Sequence, residues 1–266
     1  MRRRGWLWSR RRDFHRLRSR ARLYYQYALH GSKPKTSLLA VGTARVGSYL
    51  LTSYLHSLPD VSMRGEVLNP DAPQGLPYDP RHRATAVRHL RISVLSQAAP
   101  ISGAKILLGQ LERHGLMVAD LHRVTPNRKF LIIYRRSLAD QYVSTEIARR
   151  TGSWLLTEQG RPRRVSVHVD REDFRRYCDR IRRLYRDLLA DSGVTERALI
   201  LSYEDLAQDP GGVFRRAVCP FLDIPYHPVR TGFLRQNPSP INEKVSNFQD
   251  VADMLTGPEA TQDYAL

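Results

Sequence analysis

The residues best suited to chemistry run from Gly42 to Tyr49, Gly-Thr-Ala-Arg-Val-Gly-Ser-Tyr, between an apolar run and a helix-period pattern. Two glycines bracket a loop whose backbone N–H groups can face a ligand. The helix that follows adds orphan donors and the positive end of its dipole. Such a turn favours a phosphate or sulfate group. Arg45 brings a full charge and a planar fork of donors, and Ser48 and Tyr49 bring hydroxyls where anion oxygens would lie. A tight strand-to-helix turn with no ligand is the plain alternative, since short glycine motifs are common.

Gly42 and Gly47 have the spacing of the phosphate loop G-x-x-x-x-G-K-[ST], but Ser48 stands where that motif has its lysine. The missing cation argues against an ordinary nucleoside triphosphatase.

The elements that must position this loop follow from periodicity. Residues 37–41 read as a strand, and Leu50, Leu51, Tyr54, Leu55 and Leu58 recur at helical spacing. Residues 61–63 form a short strand leading into Arg64 to Pro70 and a Pro-, Gly- and Asp-rich loop up to Pro80. A covering helix over 83–98 carries Ala86, Val87, Leu90, Val94 and Leu95. Residues 104–109 and 129–134 are buried-strand candidates, the first flanked by Gly103 and Gly109. A helix runs from Ser137 to Arg150. The clearest amphipathic helix, 171–190, turns Phe174, Cys178, Ile181, Leu184, Tyr185 and Leu188 inward and its arginines outward. Residues 198–201 read as a strand ended by Tyr203-Glu204-Asp205, and 212–222 as a helix. The polar tail from Pro228 reads as a wrapping loop with a short helix after Asn247. Strands alternating with helices predict an α/β, P-loop-like three-layer domain over 37–266, with a central, mainly parallel sheet and loops at the strand ends forming the ligand crevice.

Composition bounds the rest. The 266 residues carry a net charge of +17, and residues 1–36 alone hold 12 Lys and Arg against one Asp. In this basic arm Trp6, Phe14, Leu17, Ala21, Tyr24 and Ala28 fall near one helical stripe, which predicts an amphipathic helix plus linker. Its apolar side suits an anionic membrane surface, with Trp6 and Trp8 at headgroup level. A solubilising arm or an Arg-rich organellar targeting segment would have the same composition. Nucleic acid is not expected, because no recognition motif accompanies the charge. Cys178 and Cys219 lie far apart, so neither a disulfide framework nor a zinc site is indicated. No apolar run reaches the roughly 20 residues needed to span a bilayer. A cytoplasmic protein, peripheral at most, is the expectation.

Taken together, residues 37–250 resemble the sulfotransferases that use 3′-phosphoadenosine 5′-phosphosulfate (PAPS), in particular the bacterial carbohydrate and glycolipid branch with the Nod-factor and trehalose enzymes. The family's 5′-phosphosulfate loop, P-[KR]-S-G-[ST]-[ST], is matched by Ala44-Arg45-Val46-Gly47-Ser48-Tyr49. Ala44 replaces the proline and Val46 the first serine, so one hydroxyl contact is lost while backbone contacts persist. In the family an arginine just past a strand and a serine eight residues later grip the donor's 3′-phosphate, and Arg136 and Ser144 match that spacing. Arg135 beside them reads as a surface charge. Leu201-Ser202-Tyr203-Glu204-Asp205-Leu206 is similar to the segment whose tyrosine contacts adenine, although Tyr203 would equally suit an ordinary strand end. The tail around Arg235, Asn237 and Lys244 resembles the closing segment over the cofactor, with a solvated loop as the alternative.

The resemblance implies PAPS as donor co-substrate, with no metal, and a hydroxyl acceptor, a glycan or glycolipid by preference. Arg45 and the N–H groups from Gly47 to Tyr49 would stabilise the charge that develops in transfer. Glu66, in the context Gly65-Glu66 that resembles the base of the trehalose-type enzymes, is the candidate base, at the crevice rim opposite the anion loop. His56, His114 and His122 are fallback bases. Lys105, inside an apolar strand, either points into the crevice or snorkels at the sheet edge. The rival readings are a P-loop-like kinase and a non-enzymatic basic module for membranes or polyanions.

Overall fold

The computed structural model describes residues 18–33, 36–155, 165–233 and 238–264. Trp6, Trp8, Phe14 and Leu17 of the arm, residues 161–164, and Arg235, Gln236 and Asn237 of the tail lie outside the described residues.

Five strands, β1 (Thr36–Gly42), β2 (Val61–Glu66), β3 (Ile101–Leu107), β4 (Arg128–Tyr134) and β5 (Ala198–Ser202), form one parallel sheet in the order β2-β3-β1-β4-β5. Helices flank it: α1 (18–30), α2 (Ser48–His56), α3 (Arg83–Leu95), α4 (Leu108–Arg113), α5 (Leu138–Thr151), α6 (Arg171–Leu189), α7 (Ser192–Thr195) and α8 (Tyr203–Gln208). The continuous apolar run of β1 fits its central place, since Leu38, Leu39, Ala40 and Val41 are all buried, as a strand covered on both faces must be. After β1 the chain builds the β3–β2 side and only later the β4–β5 side. The strand order therefore reverses at β1, the position where α/β sheets bind ligands, and the Gly42 to Gly47 turn lies there.

Contacts divide the chain into two compact units, residues 1–40 with 59–130 and residues 41–58 with 131–266. In the first, β2 and β3 pair in parallel from Val61 opposite Ile101 to Arg64 opposite Ala104, and then Glu66 opposes Lys105. Gly65 is the extra residue, a bulge of the kind that re-aims a side chain. Strand β3 starts earlier than the expected residue 104 because Gly103 belongs inside it. A Cβ there would lie 2.3 Å from the Leu38 carbonyl oxygen and 2.5 Å from the Met63 sulfur. Gly109, expected at the strand end, lies in α4 instead.

In the second unit α5 is capped by the Ser137 hydroxyl and α6 by the Asp170 carboxylate. The six apolar residues expected to face inward from α6 are the six it buries. Residues 210–222 are helical throughout, with one π turn at Phe214–Val218. Near the C-terminus, Val245 bridges Val167 in parallel, and the helix Phe248–Thr256 follows Asn247, burying Val251, Met254 and Leu255. Cys178 and Cys219 are buried free thiols. Among the described residues no helix is long and apolar enough to cross a membrane.

Candidate active site

In the second unit the turn after β1 is built around two left-handed residues, Arg45 (φ 65°) and Gly47 (φ 78°). For a non-glycine residue this conformation costs about 1–2 kcal/mol, which marks Arg45 as held there by its surroundings. At Gly47 a Cβ would also meet the Tyr203 ring at 2.4 Å, so backbone conformation and space both require glycine. Gly47 is the N-cap of α2 and no side chain caps that helix. Val46 is fully buried and anchors the turn. From α5, Gln141 Nε2 donates to Thr43 Oγ1 (2.8 Å) and to the Ala44 carbonyl (2.7 Å). Its Oε1 is buried with no partner among the described residues. The Tyr185 hydroxyl accepts from Thr43 N (3.2 Å) and donates to the Ile133 carbonyl (2.6 Å), tying the turn to β4.

Arg45 donates from Nε to Ser144 Oγ (2.9 Å) and from Nη1 to the Trp154 carbonyl (2.6 Å). Burial pushes its pKa down, and the positive charge of Arg135 adds to that, against opposing contributions from Tyr203 and Tyr177. An arginine does not give up its proton. Its charge is held partly out of water beside a second guanidinium, that of Arg135, whose Nη1 lies 3.5 Å from the Arg45 carbonyl oxygen. Arg135 is 8% exposed, with its guanidinium 4.9 Å from the Tyr203 ring centroid. Its nearest carboxylates, Asp140 at 3.8 Å and Glu204 at 3.9 Å, stand beyond hydrogen-bond length. Asp140 is itself drawn to the buried Lys244, whose Nζ lies 3.2 Å away.

Arg136 takes another course. Its two Nη atoms form a fork with Asp205 (2.8 and 2.7 Å), which raises its pKa, and its backbone N–H donates to Glu204. Thus Ser144 is tied to Arg45 and Arg136 to Asp205, while Arg135, expected as a surface charge, is the buried member of the pair. The cause is the start of α8, where Ser202 caps Asp205 and presents its carboxylate to Arg136. Tyr203-Glu204-Asp205 thereby reaches the anion turn, the Arg136 backbone and the Arg136 side chain in turn. Near the C-terminus, Gln262 braces the same residues, with its N–H on the Arg136 carbonyl and its Nε2 on the Arg135 carbonyl, both 2.9 Å.

In the first unit Glu66 is 9% exposed. Its Oε1 lies 2.8 Å from Lys105 Nζ, and its Oε2 accepts from Gln110 Nε2 (2.7 Å) and Asn69 Nδ2 (2.8 Å). Burial works to raise the carboxyl's pKa, but the Lys105 charge and hydrogen bond, with Asn69 and Gln110, outweigh it and leave it below the ordinary value. Lys105 is fully buried on an interior strand, so it does not snorkel.

The three histidines differ in place. His114 Nε2 is bonded to the Leu68 carbonyl (2.9 Å) and its ring packs on Tyr78, which steadies the segment after Glu66. His122 faces Arg128. His56 is exposed in the last turn of α2, about 12 Å along the axis from Ser48 at 1.5 Å per residue.

Sequence reasoning missed Gln141, Tyr185, Arg135, Asn69, Gln110 and Gln262. Only Asn69 had a local signal, a carboxamide three residues after the carboxylate it serves.

Residues 38–228 match the model of the Sulfotransferase family. No curated protein matches the chain. Among solved structures, a crystal structure of a sulfotransferase from Alicyclobacillus acidocaldarius is similar over 78% of this chain and 87% of that one, at 18% identity and a TM-score of 0.47.

Proposed function

Since the chain belongs to the sulfotransferase family, we propose that it moves the sulfuryl group of PAPS to a hydroxyl of a carbohydrate, glycolipid or small alcohol, as a relative of the Nod-factor and trehalose enzymes. The observation that carries this reading is the gathering of Arg45 and Arg135 at a helix N-terminus that no side chain caps. Two neighbouring guanidinium groups at such a helix N-terminus are complementary to a phosphosulfate.

The residues present fit the donor. The Gly47 cradle, which a Cβ would fill, and the N–H groups of Ser48 and Tyr49 suit the 5′-phosphosulfate, with Val46 contributing backbone alone. Arg136 and Ser144 are assigned to the 3′-phosphate, with Arg135 as a further cation beside them. The Tyr203 ring, packed against Gly47, is assigned to the adenine. Bound there, PAPS supplies an activated sulfuryl group whose bond to the bridging phosphate oxygen breaks in transfer. Arg45, held by Ser144 and the Trp154 carbonyl, would supply positive charge to that oxygen as it becomes negative. Glu66 is assigned as the base. Lys105 keeps its carboxylate ionised and oriented at the expense of some proton affinity.

The test is thermal stabilisation by 3′-phosphoadenosine 5′-phosphate (PAP), the desulfonated donor, against ATP with magnesium. PAP is expected to raise the melting temperature and ATP to do less. Stabilisation by ATP with none by PAP would overturn the assignment and favour a kinase. A mass-spectrometric screen of glycans, glycolipids and small alcohols with PAPS then names the acceptor.

A further inference from the structure

We propose that the outward face of α1 docks the protein on an anionic lipid surface. Helix α1 is the described part of the basic arm, and it has two distinct sides. Leu23 is fully buried, Arg20 Nη2 donates to the Gly75 carbonyl (2.9 Å), and Gln26 accepts from Arg64 Nη2 (2.9 Å), so one side is packed onto the first unit. The other side carries Arg18, Ala21, Arg22, Tyr24, Tyr25, Ala28 and Leu29, every one of them exposed. At 3.6 residues per turn these seven fall on one arc of about 160°. Tyr24, Tyr25 and Leu29 are 48, 66 and 50% exposed, three of the largest apolar exposures among the described residues.

The occupant follows from charge and shape. Residues 18–30 contain no acidic residue, and residues 1–17, which lead into the helix, contain seven arginines against one aspartate, together with Trp6 and Trp8. A second copy of the chain is a poor partner, because a twofold contact would press this arginine-bordered face against itself. A convex strip of Tyr, Leu and Ala that also carries Arg18 and Arg22 offers no groove for a peptide. It has the form of a helix lying in a membrane interface, with tyrosine rings at headgroup level and guanidinium groups on lipid phosphates. Lipid binding therefore needs both the apolar strip and the charge.

The experiment is co-sedimentation of the full chain with phosphatidylcholine vesicles, with and without phosphatidylglycerol. The variants are Y24S/Y25S/L29S, which keeps every charge, and R18E/R22E, which keeps the apolar strip. The wild-type chain is expected to bind the anionic vesicles and to be released by salt. Each variant is expected to bind about tenfold more weakly or worse. Because its side chains are exposed, Y24S/Y25S/L29S should keep the wild-type melting temperature, and both variants should keep its rise with PAP. That rise is read separately, so a failed vesicle result leaves the sulfotransferase assignment standing. Absence of binding to anionic vesicles by the wild-type chain, or equal binding by Y24S/Y25S/L29S, overturns the proposal. So does a wild-type dimer that this variant dissolves, which would make a second copy the occupant.

Discussion

Around Arg45 two guanidinium groups come together at a helix N-terminus, whereas around Glu66 each carboxylate oxygen already has a donor. The anion turn holds a left-handed arginine, an uncapped helix and a buried second guanidinium whose nearest carboxylates stand off at 3.8 and 3.9 Å. The Glu66 cluster closes on itself through Lys105, Asn69 and Gln110. The first arrangement gathers positive charge, and the second pairs a buried carboxylate with a buried ammonium group. They suit different tasks: capture of a charged donor, and fixed orientation of one carboxylate. If that contrast holds, changes at the turn alter binding, and changes at the cluster alter turnover or stability while donor affinity stays intact.

The largest expected effect is on turnover. Glu66→Gln keeps the side-chain shape while removing the base and leaving Lys105 without its anion, so single-turnover rates of the folded variant should fall roughly 10²–10⁴-fold with PAP affinity unchanged. Near wild-type rates in the variant would remove Glu66 from the chemistry. His56, His114 and His122 would then be tested, His114 being bonded to the Leu68 carbonyl, His122 to Arg128, and His56 lying at the far end of α2.

Next in size is the cost of opening the cluster. Lys105→Met leaves a buried carboxylate without its cation, a change of about 3–5 kcal/mol in denaturant unfolding. Adding Glu66→Gln to it should recover much of the loss. A single variant as stable as wild type would mean that the pair is not closed in the way its 2.8 Å separation indicates.

At the turn, Arg136→Ala is expected to weaken PAP binding by about 1.5–3 kcal/mol, measured by calorimetry, if that arginine leaves Asp205 for the 3′-phosphate. Arg135→Ala provides the control. A loss confined to Arg135→Ala would move the phosphate contact to the buried arginine and leave Arg136 as a brace for α8.

What could be read from the sequence and what could not divide along the same physical line. The α6 core, β1 and the strand-turn-helix at Gly47 were legible because burial there follows short-range periodicity. Gly103 misled, since a glycine inside a strand reads as a terminator until the close approach of Leu38 is known. Which of Arg135 and Arg136 turns inward depends on Asp205, 69 residues from Arg136, and the hold on the turn depends on Gln141, 98 residues from Thr43. Spacing cannot encode partners that arrive from that far along the chain. Glu66 was legible as a carboxylate after a strand, but its pairing with Lys105 depends on the Gly65 bulge, which shifts the register.

The remaining expected effect is the pH dependence of the first unit, and its sign separates two groups there. His89, in α3, has its pKa lowered to about 4, by burial first and then by the Arg20 charge. The unfolded chain takes up that proton near pH 6.5 and the folded one resists it. Stability contributed by neutral His89 is therefore complete above about 6.5 and is lost as pH falls toward 4. Glu66, also lowered, contributes stability above the ordinary carboxyl range that is lost only as pH falls through its lower folded value. Unfolding free energies of wild type, His89→Gln and Glu66→Gln across pH 3 to 8 should thus show the histidine difference shrinking first and the glutamate difference later. Arg45→Ala should differ from wild type by a constant over the same range, because a guanidinium does not titrate there. A Glu66 difference that vanishes already near neutral pH would mean its carboxyl is raised rather than lowered, and the contrast between a closed cluster and an open anion turn would fail at its closed end.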